Sequence, residues 1–110
     1  MADLIDRIAG TDDTRPKIPI HQFFGKMRLY AAGVLTQAQA AADFDLQGNE
    51  ATQAQLLVNA IDAAPNATAK LVMVLKFEAV MFSLEDNTDT RYHNPDGSID
   101  KAQVANDAGF

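Results

Sequence analysis

Two stretches of this chain set oxygen-bearing side chains at the alternating spacing of a calcium loop. Such a loop takes ligands at positions 1, 3, 5 and 12 and needs a glycine at position 6. Asp43, Asp45, Gln47 and Gly48 begin the first stretch, but position 12 falls on Ala54, so the bidentate ligand is missing. The second carries Asn94, Asp96, Gly97, Ser98 and Asp100, yet it opens on Tyr92, contains Pro95 and has Gln103 at position 12. A Pro-Asp-Gly turn followed by a Ser98 helix cap explains this second stretch without an ion. The expectation is therefore no metal and no cofactor, with a degenerate calcium module using Asn94, Asp96 and Asp100 as a lesser alternative.

Other reactive groups are sparse. His21 and His93 are the only histidines and lack the local partner spacing of a zinc site. With no cysteine, thiol chemistry and disulfides are excluded. Serine occurs only at 83 and 98, neither in a nucleophile-elbow context, and no glycine loop could cradle phosphate. Glu78 is the unusual carboxylate, because its helical neighbours Val74, Leu75, Met81 and Phe82 are all apolar. Once buried it needs a cation from another element, and Arg28 or Lys26 is the expected partner in a structural ion pair. No second catalytic group stands beside it, so an enzyme is not expected.

The elements that must position these groups come from one domain of 110 residues. Apolar residues make up 47% and charged residues 22%, which is ordinary globular composition. A net charge of −6 favours solubility and disfavours nucleic acid or an anionic membrane. Residues 36–63 imitate a helix-turn-helix, but Leu29 to Ala69 contains no Lys or Arg to neutralise phosphate. The N-terminus has acidic residues and no long apolar core, so it does not read as a secretory signal.

The helical signals run in order. Leu4, Ile5 and Ile8 support a short helix over Ala2–Ala9 that Gly10 ends, followed by a polar linker, Thr11–Lys17. Pro19 suits the start of a second helix. Ile20, Phe23, Phe24, Met27, Tyr30, Ala31 and Val34 form its apolar stripe, with Gly33 available as terminator. Gly25 beside the stripe suggests a close helix contact, and Arg15, Lys17, Lys26 and Arg28 form a basic cluster, a solvated face or a seat for an acidic partner. Thr36 with Gln39 is a capping box for a helix over Gln37–Phe44. Asn49 caps a helix over Glu50–Ala64, and Pro65 stops it. Asn66 or Thr68 caps the next. Beyond Leu84 the chain turns polar through Glu85–Pro95, and Ser98 caps a last short helix over Ile99–Asn106.

The run Lys70–Leu84 dominates the sequence. Leu71, Leu75, Ala79 and Phe82 occupy one helical side, and Met73, Phe77, Val80 and Leu84 lie nearly opposite. The charges within it argue against a membrane span. The plain reading is a central core helix, and the sharper one is that one stripe packs internally while the other meets another subunit or protein. The second stripe, with Tyr92 and Phe110, supplies the interface candidates: Met73, Phe77, Val80, Leu84, Tyr92 and Phe110. The expected fold is all-α, a small bundle of four to five helices with extended polar ends. Residues 1–16 form an N-terminal helix or arm with its linker, 17–84 the core domain, and 85–110 a C-terminal extension.

The succession Lys17-Ile18-Pro19-Ile20-His21-Gln22-Phe23, then Arg28-Leu29-Tyr30, Gly33 and a capped Thr36 helix ending Phe44-Asp45-Leu46 resembles small helical proteins encoded among the structural genes of tailed bacteriophages and prophages. The resemblance covers residues 17–84. It implies a non-enzymatic virion component: a capsid cement or decoration protein, a fibre base or a tail adaptor. Partners would be other protein subunits, itself or virion proteins, in an oligomer with no nucleic acid and no membrane. The rival reading is a cytoplasmic homodimeric adaptor or regulatory protein, paired through Met73, Phe77, Val80 and Leu84.

Overall fold

The computed structural model describes residues 3–85 and 90–110. Among them the regular elements are six helices: α1 (Leu4–Ala9), α2 (Ile20–Ala31), α3 (Gln37–Ala41), α4 (Asn49–Ala63), α5 (Ala67–Glu85) and α6 (Lys101–Ala108). The described residues contain no strand beyond an isolated antiparallel bridge between His93 and Ile99. The protein is all-α.

Local chemistry sets most boundaries. Asp3 and Asp6 cap α1 reciprocally, each carboxylate accepting the other's backbone N–H at 3.2 and 3.0 Å. The expected start at Ala2 lies outside the described residues. Gly10 ends α1 in the left-handed region, at φ 80°. Thr36 and Gln39 make the anticipated capping box of α3. That helix stops at Ala41, short of the expected Phe44. Asn66 caps α5, its side-chain oxygen accepting from the Ala69 N–H at 2.8 Å.

Two helix starts and one member of the α2 stripe differ from the sequence reading. Gly33, at φ 79°, closes α2 with a Schellman motif: the Gly33 and Val34 N–H groups donate to Tyr30 and Leu29 carbonyls. Val34 is thereby turned outward and is 64% exposed, so it leaves the buried stripe. Gly48, not Asn49, precedes α4, and Asn49 is the first helical residue. Asp100 rather than Ser98 caps α6, accepting the Gln103 N–H at 3.1 Å. Ser98 belongs to the turn before it.

Packing gathers every helix onto α5 or onto its neighbours: α2, α4, α6 and α1 against α5, α1 also against α4, and α3 against α2. A chain of edge-to-face rings runs through the middle, Phe44–Phe23–Phe24–Phe77–Phe110, with centroids 5.0–5.4 Å apart. Both end segments share the core with residues 17–84. Leu4, Ile5 and Ile8 of α1 are fully buried, as is Val104 of α6, and Tyr92 and Ala108 join the same core. The two end helices are also tied together, Lys101 Nζ lying 2.6 Å from Asp6 and 3.4 Å from Asp3. A small chain cannot leave apolar faces of both ends in water and still fill one core, so both fold in. Part of the polar stretch expected over Glu85–Pro95, namely residues 86–89, lies outside the described residues.

Candidate interaction surface

Helix α5 carries apolar side chains all round, so its environment depends on what covers each arc. Val74, Phe77 and Met81 are fully buried, and Val80 and Leu84 nearly so. Phe77 is held between Phe24 of α2 and Phe110 beyond α6. Met73 and Phe110 are half-buried against the same core, with Met73 directly under Gly109. The candidate interface residues Phe77, Val80, Leu84 and Tyr92 are thus covered by the chain itself. The physical reason is the return of residues 92–110 over α5, which lays Phe110 and α6 on the second stripe.

The opposite stripe stays open. Leu71, Val72, Leu75 and Phe82 are each about two-fifths exposed, with Ala79 and Lys76 also at the surface. Leu29 of α2 is exposed to the same degree. Along the α2–α5 seam, the His21 ring packs on Phe82 with centroids 5.4 Å apart. Arg28 Nη1 donates to Glu78 Oε1 at 2.8 Å. The structure therefore brings Glu78 and Arg28 together, half-buried, as an ion pair beside the open stripe. Gly25 lies on this outer side of α2 and makes no close helix contact: a Cβ there would meet only Arg28, at 3.9 Å.

The basic cluster is taken up by the chain's own carboxylates. Arg15 reaches Glu50 and Asp45, Lys17 reaches Glu85 at 3.0 Å, and Lys26 reaches Asp43 at 3.5 Å. The most buried of these contacts centres on Arg7, which the sequence reading passed over. Arg7 Nη1 donates to Glu50 Oε1 at 2.7 Å and to the Phe44 carbonyl at 3.0 Å, and its Nε donates to the Pro16 carbonyl at 2.8 Å. Burial pushes the Glu50 carboxyl up, but the hydrogen bonds from Arg15 and Arg7 outweigh it and hold the group below its ordinary range. The available signal was positional. Arg7 stands three residues after Leu4 and one before Ile8, on the buried side of α1.

A second cluster secures the C-terminal segment. Arg91 donates twice to Asp107, at 2.6 and 3.0 Å, and Tyr92 and Gln103 donate to it at 2.7 and 2.8 Å. These bonds, that of Arg91 first, hold the Asp107 carboxyl far below the usual carboxylate range. Elsewhere, Tyr30 donates to Asp62 at 2.7 Å, which pushes its hydroxyl up to about 12.

The would-be calcium ligands face their own backbone. Asp96 Oδ1 accepts from Ser98 N and Oγ at 2.9 and 2.6 Å, while Asp100 is occupied as the α6 cap. Asp45, the one described non-glycine residue with positive φ, accepts from Gln47 at 2.8 Å. Among the described residues, no three His, Asp or Glu side chains are grouped to hold a metal. No helix among them is long and apolar enough to cross a membrane. Comparison of the chain with protein families, with curated proteins and with solved structures returned no match.

Proposed function

We propose that this chain is a non-enzymatic structural protein that assembles with further copies of itself through the outer stripe of α5, as a component of a tailed-phage particle. The observation that carries the assembly is the uncovered arc Leu71, Val72, Leu75, Phe82 on a helix that is otherwise surrounded. Helices apolar on all sides are normally buried on most of them. The stripe is flanked by Lys76 and by Glu78, whose charge Arg28 balances, so little of the net charge of −6 that opposes association lies on it. Engagement of the chain's cations and carboxylates with one another supports a binding role over a catalytic one. The resemblance of residues 17–84 to virion-associated proteins supports the setting. The mass of the purified chain, by light scattering over a concentration series, is the test. A dimer or larger oligomer that grows in toward the top of the series, and that Leu75→Lys returns to monomer, is the expected result. A monomer throughout overturns self-assembly. Fixed symmetric numbers on purified particles are expected of a virion part, and substoichiometric soluble material of an adaptor.

A further inference from the structure

A separate feature lies on the other side of α2. Between α2, α3 and α4 there is a cavity of about 380 Å³. Its floor is core: Phe23, Met27 and Leu57 are all buried. Much of its wall is alanine, notably Ala41 on α3 and Ala54 on α4. The space opens to solvent past Gln37, Ala38, Ala51 and Gln55, which are exposed, while its floor is apolar. Concave, largely apolar spaces of this volume with a few polar groups at the rim are the usual form of small-molecule sites.

We infer that the cavity is a binding site for a small neutral amphiphile: an aliphatic or single-ring body with one uncharged hydrogen-bonding end. The polar end is set by the mouth, where Gln37 Nε2 donates to Gln55 Oε1 at 2.6 Å, joining α3 to α4. Gln55 donates onward to Asn59 at 2.9 Å. Primary carboxamides both donate and accept, so they suit a hydroxyl or amide. Neutrality is set by the lining. No Lys or Arg faces the cavity, its carboxylate Asp45 is engaged by Arg15 and Gln47, and the Tyr30 hydroxyl is committed to Asp62. An anion entering there would meet the Asp45 carboxylate and no cation of the lining, and a cation would have to compete with Arg15 for Asp45.

The test is a titration of the full chain with 1-octanol, octanoate and octylammonium, followed by methyl resonances and melting temperature. Octanol is expected to shift the Met27 and Ala41 methyls saturably and to raise the melting temperature, as a native-state ligand must. The two charged congeners should bind at least tenfold more weakly. Ala54→Leu and, separately, Ala41→Leu fill the cavity from different helices, and whichever folds should lose octanol binding. Absence of saturation with octanol overturns the site. Equal binding of the charged probes overturns its neutral character. Octanol shifts centred on Leu75, or surviving in a folded filled variant, mean that binding occurs elsewhere and overturn the assignment.

Discussion

Replacing Arg7 by methionine removes the buried cation of the described residues while leaving an unbranched apolar stem on α1. Three donations are lost, to the Pro16 and Phe44 carbonyls and to Glu50. Orphaning a buried acceptor costs about 1–3 kcal/mol, and breaking a buried ion pair about 3–5 kcal/mol. Arg15 still reaches Glu50, which offsets part of the loss, so the expected destabilisation is about 3 kcal/mol. Arg15→Met is the control. Its side chain is 23% exposed and Glu50 keeps Arg7, so about 1 kcal/mol is expected. Followed by circular dichroism in urea, Arg7→Met should lower the midpoint by roughly 2 M at a slope of about 1.5 kcal/mol per M. The sign of the pH dependence follows from Glu50, whose folded carboxyl is held below its ordinary 4.5. Its contribution is complete above that value and is lost as pH falls through the lower folded one. The gap between wild type and Arg7→Met should therefore narrow in acid. A midpoint shift for Arg7→Met no larger than for Arg15→Met would refute the reasoning.

Three further predictions follow from single contacts. Gly109→Ala puts a Cβ at φ 90° and 3.0 Å from Met73 Cε, so a loss of about 1–2 kcal/mol is expected, read as faster amide exchange in α6. Asp107→Asn should loosen residues 91–108 in the same assay. In the parent protein that segment should stay protected above the ordinary aspartate value of 3.8 and loosen only as pH falls through the depressed folded value. Because Tyr30 is raised from 10.0 to about 12, its neutral form stabilises the fold below pH 10, and that stability declines as pH rises toward 12. Asp62→Asn should bring the ultraviolet titration of Tyr30 back toward 10, and an unchanged titration would exclude the hydrogen bond as cause.

What was legible in the sequence was what acts within about four residues. The Thr36–Gln39 box, the Asn66 cap and the terminating Gly10 and Gly33 are local hydrogen-bond chemistry, readable wherever the spacing occurs. The Glu78–Arg28 pair was reachable because a carboxylate with only apolar helical neighbours must find a cation elsewhere. A long-range pair without such a local oddity was not. Glu50 lies 43 residues from Arg7, and no local pattern links them. How the C-terminal segment packs was out of reach for a related reason. Helix α6 offers only Val104 and Ala108 as its buried face, too few for a periodic signal, yet they close the core once Tyr92 and Phe110 flank them.

The misassigned stripe of α5 follows from the same limit and bears on function. Periodicity correctly separated two apolar faces, but nothing within α5 says which one residues 92–110 will cover. Once they cover Phe77, Val80 and Leu84, the remaining face is fixed by exclusion. Leu71, Val72, Leu75 and Phe82, with Leu29 of α2 beside them, are near two-fifths exposed and offer on the order of 400 Å² of apolar surface, within the range of the largest patch on an ordinary monomer. A stable interface buries roughly 800 Å² on each partner, so the stripe alone supplies about half. Self-association of the free chain should therefore be weak and concentration-dependent. Strong assembly requires that neighbours hold copies close together, because a raised effective concentration compensates for a small contact. A particle that fixes many copies on one surface provides that condition, and a dilute solution does not.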